Sequence, residues 1–207
     1  MSANISLNPM LTTNAKGLFQ TNSNGFTQGD AQDDPAVKFA LAGGVLSASA
    51  TAPLWGGFPI QEFIPGASAQ PGADVLGSTV LQATASAVPT GISVFNQAFA
   101  GITTPQSTAP LYSPGMSVNF YRFGSGARIP LPCDASVVAL DGSSIVETVY
   151  WDYALNLLTT TQPTVGQAAL PCKILRTSVA NNKTVSYNAG TGFANWANDG
   201  LIAVVQI

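Results

Sequence analysis

Ser117-Val118-Asn119-Phe120-Tyr121-Arg122-Phe123 alternates polar and apolar over its first four residues, stays rich in aromatics, and stops at Gly124-Ser125-Gly126. A period of two bounded by glycine predicts a β-strand with one face inward, and it is too short for a helix. Other windows repeat the pattern on either side. Val37 to Leu41 runs into Gly43-Gly44, and Val75 to Ala85 is rich in small and β-branched residues. Ser136 to Leu140 meets Asp141-Gly142, the strongest short hairpin signal in the chain. On the returning strand Ile145, Glu147, Val149, Trp151 and Tyr153 share one face, and Val146, Thr148, Tyr150 and Asp152 the other. Cys172 to Val179 and Lys183 to Tyr187 flank Asn181-Asn182, which reads as a second hairpin turn.

The last run, Leu201-Ile202-Ala203-Val204-Val205-Gln206-Ile207, is apolar enough to predict a central or tightly paired strand. Most of the fourteen prolines fall between these windows. No long helical period is present, and Ile92 to Ala100 offers at most one short helix. The expectation is an all-β fold: an antiparallel β-barrel or jelly-roll-like sandwich with an extended N-terminal arm. Residues 1–35 form the arm and 36–207 the body, divisible into lobes at 36–114 and 115–207. Leu131-Pro132-Cys133-Asp134 and Leu170-Pro171-Cys172-Lys173 echo each other, but four residues do not make a duplication.

Composition narrows the function. Charged residues are 8% of 207, seven basic and ten acidic, with no histidine, against roughly 25% charged in an average domain. Histidine-dependent catalysis and metal binding are excluded. Seven basic residues and a pI near 4.5 argue against a nucleic-acid footprint. No apolar run is long enough for a helical membrane span, so neither nucleic acid nor membrane is an expected partner. Ala, Ser, Thr, Asn, Gln and Gly replace the charges, and neutral polar surface is easier to bury than charged surface. This exterior suits contact with other protein, although secreted β-proteins share the pattern.

The N-terminus has neither a basic segment nor an apolar core of a secretory signal, which predicts folding in a reducing cytoplasm. Cys133 and Cys172 are then expected to be free, buried thiols. Ile5, Leu7, Met10, Leu18, Phe19 and Phe26 punctuate an otherwise polar start. They are the candidate interface residues of an arm laid over a neighbour, or the anchors of a tail folded back on its own body.

Candidate chemistry is thin. Asp30, Asp33 and Asp34 lack the ligand spacing of a calcium loop. Glu62, Glu147 and Asp152 are the candidate carboxylates of a glycosidase, but Glu147 and Asp152 have opposite strand parity. Gly43-Gly44, Gly56-Gly57 and Gly124-Ser125-Gly126 match no phosphate loop and read as turns or bulges. Trp55, Tyr150, Trp151, Tyr153, Phe193 and Trp196 could build a sugar platform, although core packing is the commoner use. No catalytic, metal or cofactor site is expected.

Two further stretches complete the picture. They are Val149-Tyr150-Trp151-Asp152-Tyr153-Ala154-Leu155-Asn156 with Leu170 to Leu175, and Lys183 to Asn188 with Thr191-Gly192-Phe193-Ala194-Asn195-Trp196 and Ala203 to Ile207. Residues 145–207 thereby resemble capsid decoration, or cement, proteins of tailed bacteriophages. The resemblance implies a small non-enzymatic β-body on the outer face of a virion capsid, assembled in the host cytoplasm. It also implies a homodimer or homotrimer that bridges major capsid protein subunits. The alternative is a host-receptor or glycan-binding tail or adhesin module using Trp151, Tyr153 and Trp196.

Overall fold

The computed structural model describes residues 25–31, 37, 39–63, 78–95, 107–142, 145–198 and 200–207. Among them lie twelve strands and almost no helix, so the protein is all-β. The first five are β1 (Leu41–Leu46), β2 (Pro59–Phe63), β3 (Ser78–Gln82), β4 (Gly91–Val94) and β5 (Ser117–Arg122). They close into a barrel in the order β1-β3-β2-β4-β5, with β5 returning to β1. Every pairing in it is antiparallel except β1 with β3.

Register explains the interior. Val118 opposes Gly44, Phe120 opposes Ala42 and Ser93, and Leu46 opposes Val80. Leu46, Ile60, Val80, Val118 and Phe120 are fully buried on this shared face. The other face of β4 and β5 is buried too, through Ile92, Val94, Asn119 and Tyr121. The alternation read from Ser117 to Phe120 therefore separates two packed faces, not a packed face from a wet one.

Gly43 and Gly44 lie inside β1 and make no turn. A Cβ on Gly44 would sit 2.7 Å from Val80 Cγ2 and 2.8 Å from the Ser78 carbonyl oxygen. The close approach of β1 to β3 admits only glycine there. The expected strand at Val37 to Leu41 accordingly starts later, because Ala40 N–H closes a turn onto Val37 O.

The second sheet has the order β6-β12-β9-β7-β8, from β6 (Arg128–Pro132), β7 (Glu147–Asp152), β8 (Leu157–Thr159), β9 (Leu170–Ser178) and β12 (Ile202–Gln206). The terminal run is central, as its composition suggested, with β6 on one side and β9 on the other. The sheet curls until its outer strands meet, through a bridge from Cys133 to Leu158 and the Asp134 N–H bond to Leu158 O. Pro130 and Pro132 lie in the outer strand β6, where a missing N–H does least harm. The Leu-Pro-Cys echo falls at the end of β6 and the start of β9, so its two copies do not play one role.

A separate hairpin pairs β10 (Lys183–Asn188) with β11 (Phe193–Asn198). Asn181-Asn182 does not turn β9 back on β10, since the two strands belong to different sheets. Asn182 is instead fully buried, donating to the carbonyls of Ser178 and Gly200 and accepting from Phe26 N–H.

Two more expectations fail for local reasons. Ser136 to Leu140 is no strand: Ala135–Val138 is a helical turn. The Asp134 carboxylate accepts from the N–H groups of Ser136 and Val137, and this cap outweighs the β-preference of two valines. Ile92 to Val94 belongs to β4, not to a helix, and 96–100 lie outside the described residues.

Of the candidate arm residues, Ile5, Leu7, Met10, Leu18 and Phe19 lie outside the described residues. Phe26 is half-buried on its own chain, with the Arg176 guanidinium 5.7 Å from its ring centre. Residues 25–31 are thus part of the body. Gln28 N–H bonds Lys183 O, Gly29 N–H bonds Pro130 O, and Phe95 N–H bonds Gly29 O. The change of sheet falls at Phe123 to Ala127, after β5 has closed the barrel, and one continuous core spans both sheets. No described helix is long and apolar enough to cross a membrane.

Candidate functional site

A cleft of about 260 Å³ opens where the barrel, the curled sheet and the hairpin meet. Trp55 and Phe58 reach it from the turn before β2, and Gln82 from the end of β3. Tyr153 and Asn156 come from the β7–β8 turn, and Tyr187 from β10. Local chemistry sets each piece. The Ser93 hydroxyl donates to Trp55 O at 2.6 Å and accepts from Phe58 N–H, holding the Trp55–Phe58 turn against β4. Asp152 accepts from the N–H groups of Ala154 and Leu155, winding the next turn until Asn156 reaches a left-handed φ of 56°.

The rings form a connected set. Trp55 meets Phe58 edge-on at 5.1 Å, Tyr187 lies 5.2 Å from Trp55, and Phe58 meets Trp151 at 5.5 Å. Trp55 and Phe58 are almost wholly buried, whereas Tyr153, Asn156, Tyr187 and Gln82 are half-buried. Burial pushes the Tyr153 phenol up to about 12, and among the described residues no lining side chain is acidic or basic.

The aromatic residues that could build a sugar platform do not come together as one surface. Trp151 is fully buried and cannot offer a ring face. Trp196 packs edge-on to Phe95 at 5.6 Å on the hairpin and does not line the cleft. Trp55 and Tyr153 do line it, and they are joined by Phe58 and Tyr187, which the sequence reading left out. No spacing rule could have grouped four rings drawn from two separate turns and a strand.

The candidate carboxylates do structural work. Glu62 accepts two charge-assisted bonds from Arg122, both at 2.6 Å, and one from the Ser78 hydroxyl. The three residues come from the ends of β2, β5 and β3 on the barrel's inward register, and Arg122 also lies over the Phe120 ring at 5.6 Å. Asp152 is consumed by its own turn, and Asp134 by its cap. Glu147 faces Cys172 across β7 and β9, in a different sheet from Glu62. Asp30 is bridged to Phe95, while Asp33 and Asp34 lie outside the described residues. The described residues contain no cluster able to hold a metal ion.

Acid should expose this arrangement. Hydrogen bonds from Arg122 hold the Glu62 carboxyl below its ordinary value of 4.5, and they outweigh the opposing effect of burial. A carboxyl depressed in the folded state stabilises the protein above its unfolded value and loses that contribution as pH falls through the folded one. The thermal midpoint is expected to drop below about pH 4.5, and Glu62→Gln to flatten part of that drop. An unchanged acid limb in the variant would remove Glu62 from the account.

Cys133 and Cys172 are free and buried, as expected from the sequence. Burial pushes both thiols up to about 12, with Asp134 and Glu147 adding to the effect. Ellman's reagent at pH 8 should leave the native protein unmodified and titrate both thiols in denaturant. Rapid native reaction would contradict the buried placement.

No family model matches the chain, and neither a curated protein nor a solved structure matches it.

Proposed function

We propose that the protein is a non-enzymatic virion structural component that decorates and cements a capsid, bridging major capsid protein subunits as a homodimer or homotrimer. The observation that carries this reading is the outer face of the barrel. Val45, Thr79 and Phe63 lie abreast across β1, β3 and β2, with Leu41, Gly43, Leu81 and Gln61 beside them, and none is charged. Val45 and Phe63 are 43% and 47% exposed, and Phe39 just before β1 is 95% exposed. Such a face associates without desolvating ions. Many weak contacts repeated over a shell then add through avidity.

The resemblance of residues 145–207 to decoration proteins supports the same reading. Glu62, Asp134, Asp141 and Asp152 each hold local structure through hydrogen bonds, which is consistent with a structural role. The test is the copy number of this chain in purified particles, followed by mild stripping and add-back. Hundreds of copies, with stripped particles losing DNA at lower temperature until the protein is restored, support a shell role. A handful of copies, or no change in particle stability, overturns it.

A further inference from the structure

We propose that the cleft bounded by Trp55, Phe58, Tyr153, Tyr187, Gln82 and Asn156 is a binding site for one neutral pyranose ring of a glycan. This goes beyond the shell role and does not rest on it. The argument begins with shape. Drug-sized ligands occupy pockets of about 300–1,000 Å³, so a half-open cleft of about 260 Å³ takes a single ring and little more.

Chemistry then selects the ring. Trp55 and Phe58 are almost wholly buried and only back the cleft, braced by their edge-on contact and by the Ser93 hydroxyl, so the aromatic surface a ligand can reach is that of Tyr153 and Tyr187. Tyr153 and Tyr187 stand half-buried as walls, each with a phenol that can donate or accept. A pyranose has the complementary character, an apolar C–H face and a rim of hydroxyls. Aromatic surface takes the first, and amide and hydroxyl groups take the second. Gln82 and Asn156 place two amides in the lining, and the Gln82 Nε2 is steered by Pro53 O at 2.6 Å.

Charge decides between sugars. With no cationic side chain in the lining among the described residues, a carboxylated or sulfated sugar would lose water without gaining a charged partner. A purely apolar ligand would leave the amide rim unpaired. Both considerations point to a neutral sugar.

The experiment uses the full chain with methyl glucoside, methyl galactoside, N-acetylglucosamine and short neutral oligosaccharides. Saturation-transfer NMR and tryptophan fluorescence read the binding. At least one member is expected to bind in about the millimolar range, as befits a small ligand. Asn156→Gly deletes the amide while keeping a residue that tolerates the left-handed backbone, so folding is preserved. This variant and Tyr187→Ala should each weaken binding about tenfold, with thermal midpoints measured to confirm folding, while Trp196→Phe leaves it unchanged. The proposal is overturned if no neutral sugar binds or if binding survives Asn156→Gly and Tyr187→Ala together. Preference for a charged sugar or a proline-rich peptide overturns it equally. Particle copy number is unaffected by any of these results, so the two readings fail separately.

Discussion

Gly29→Ala is expected to destabilise the protein by about 4 kcal/mol or more, most of the stability of a marginal domain. Gly29 has φ of +72°, and an added Cβ would lie 2.3 Å from the Gly56 carbonyl carbon and 2.6 Å from Gly57 N. Both obstacles are backbone, so no rotamer change relieves them. Left-handed strain contributes about 1–2 kcal/mol and overpacking about 1–3 more. The strands that must move are the ones Gly29 joins, since its N–H bonds Pro130 O and its carbonyl accepts from Phe95. Gln28 would be dragged with it. That side chain reaches Gly56 O and accepts from Val185 N–H while only 1% exposed, and freeing these groups strands buried partners.

Gly115→Ala supplies the comparison. Its φ is +85°, yet among the described residues a Cβ there meets nothing within 4 Å. Only the backbone strain remains, and a loss of about 1–2 kcal/mol is expected. Urea unfolding of the two variants separates clash from strain. Equal losses would mean that residues 25–31 do not wedge between the barrel, β6 and the hairpin.

That wedge also marks where sequence reasoning stopped. Phe26 was visible as an apolar residue in a polar stretch, and folding back was one of two open readings. What it could not show is Gln28, a polar residue buried because three backbone groups happen to converge on it. β5 was legible from its alternation and the glycines that end it, and β12 from a long apolar run that begins directly after Asp199-Gly200. Ser136 to Leu140 misled because Val137-Val138 favours a strand, while the Asp134 cap three residues earlier decides the matter. Gly43-Gly44 misled for a different reason. A glycine required by a close neighbour looks the same in sequence as a glycine required by a turn, and the neighbour, Val80, is far away in the chain. The cleft was half legible. Trp55 and Tyr153 were candidates by residue type, but only the meeting of barrel, curled sheet and hairpin shows that Phe58, Gln82, Asn156 and Tyr187 join them.

Trp151→Ala should cost about 3–5 kcal/mol, the range for emptying a buried aromatic site. The indole is fully buried in β7 opposite Leu158 and touches Phe58 edge-on, so its loss opens a void between barrel and curled sheet. The Gln167 side chain, which donates to Trp151 O at 2.6 Å, would lose the packing that positions it. Trp151→Phe should be much milder. Among the described residues the buried indole Nε1 has no hydrogen-bond partner, so removing that donor relieves a cost while most of the ring contact stays. The pair of variants thus distinguishes a core aromatic from a ligand platform. A surface ring would leave stability within about 0.5 kcal/mol on truncation. Trp151→Ala also tests whether the two sheets fold together. One core runs from Leu46 in the barrel to Val205 in the curled sheet, so denaturation should remain a single transition shifted to lower urea. Two separated transitions, with only the second shifted, would mean that the barrel stands alone and that the Phe58–Trp151 contact does not couple it to the rest.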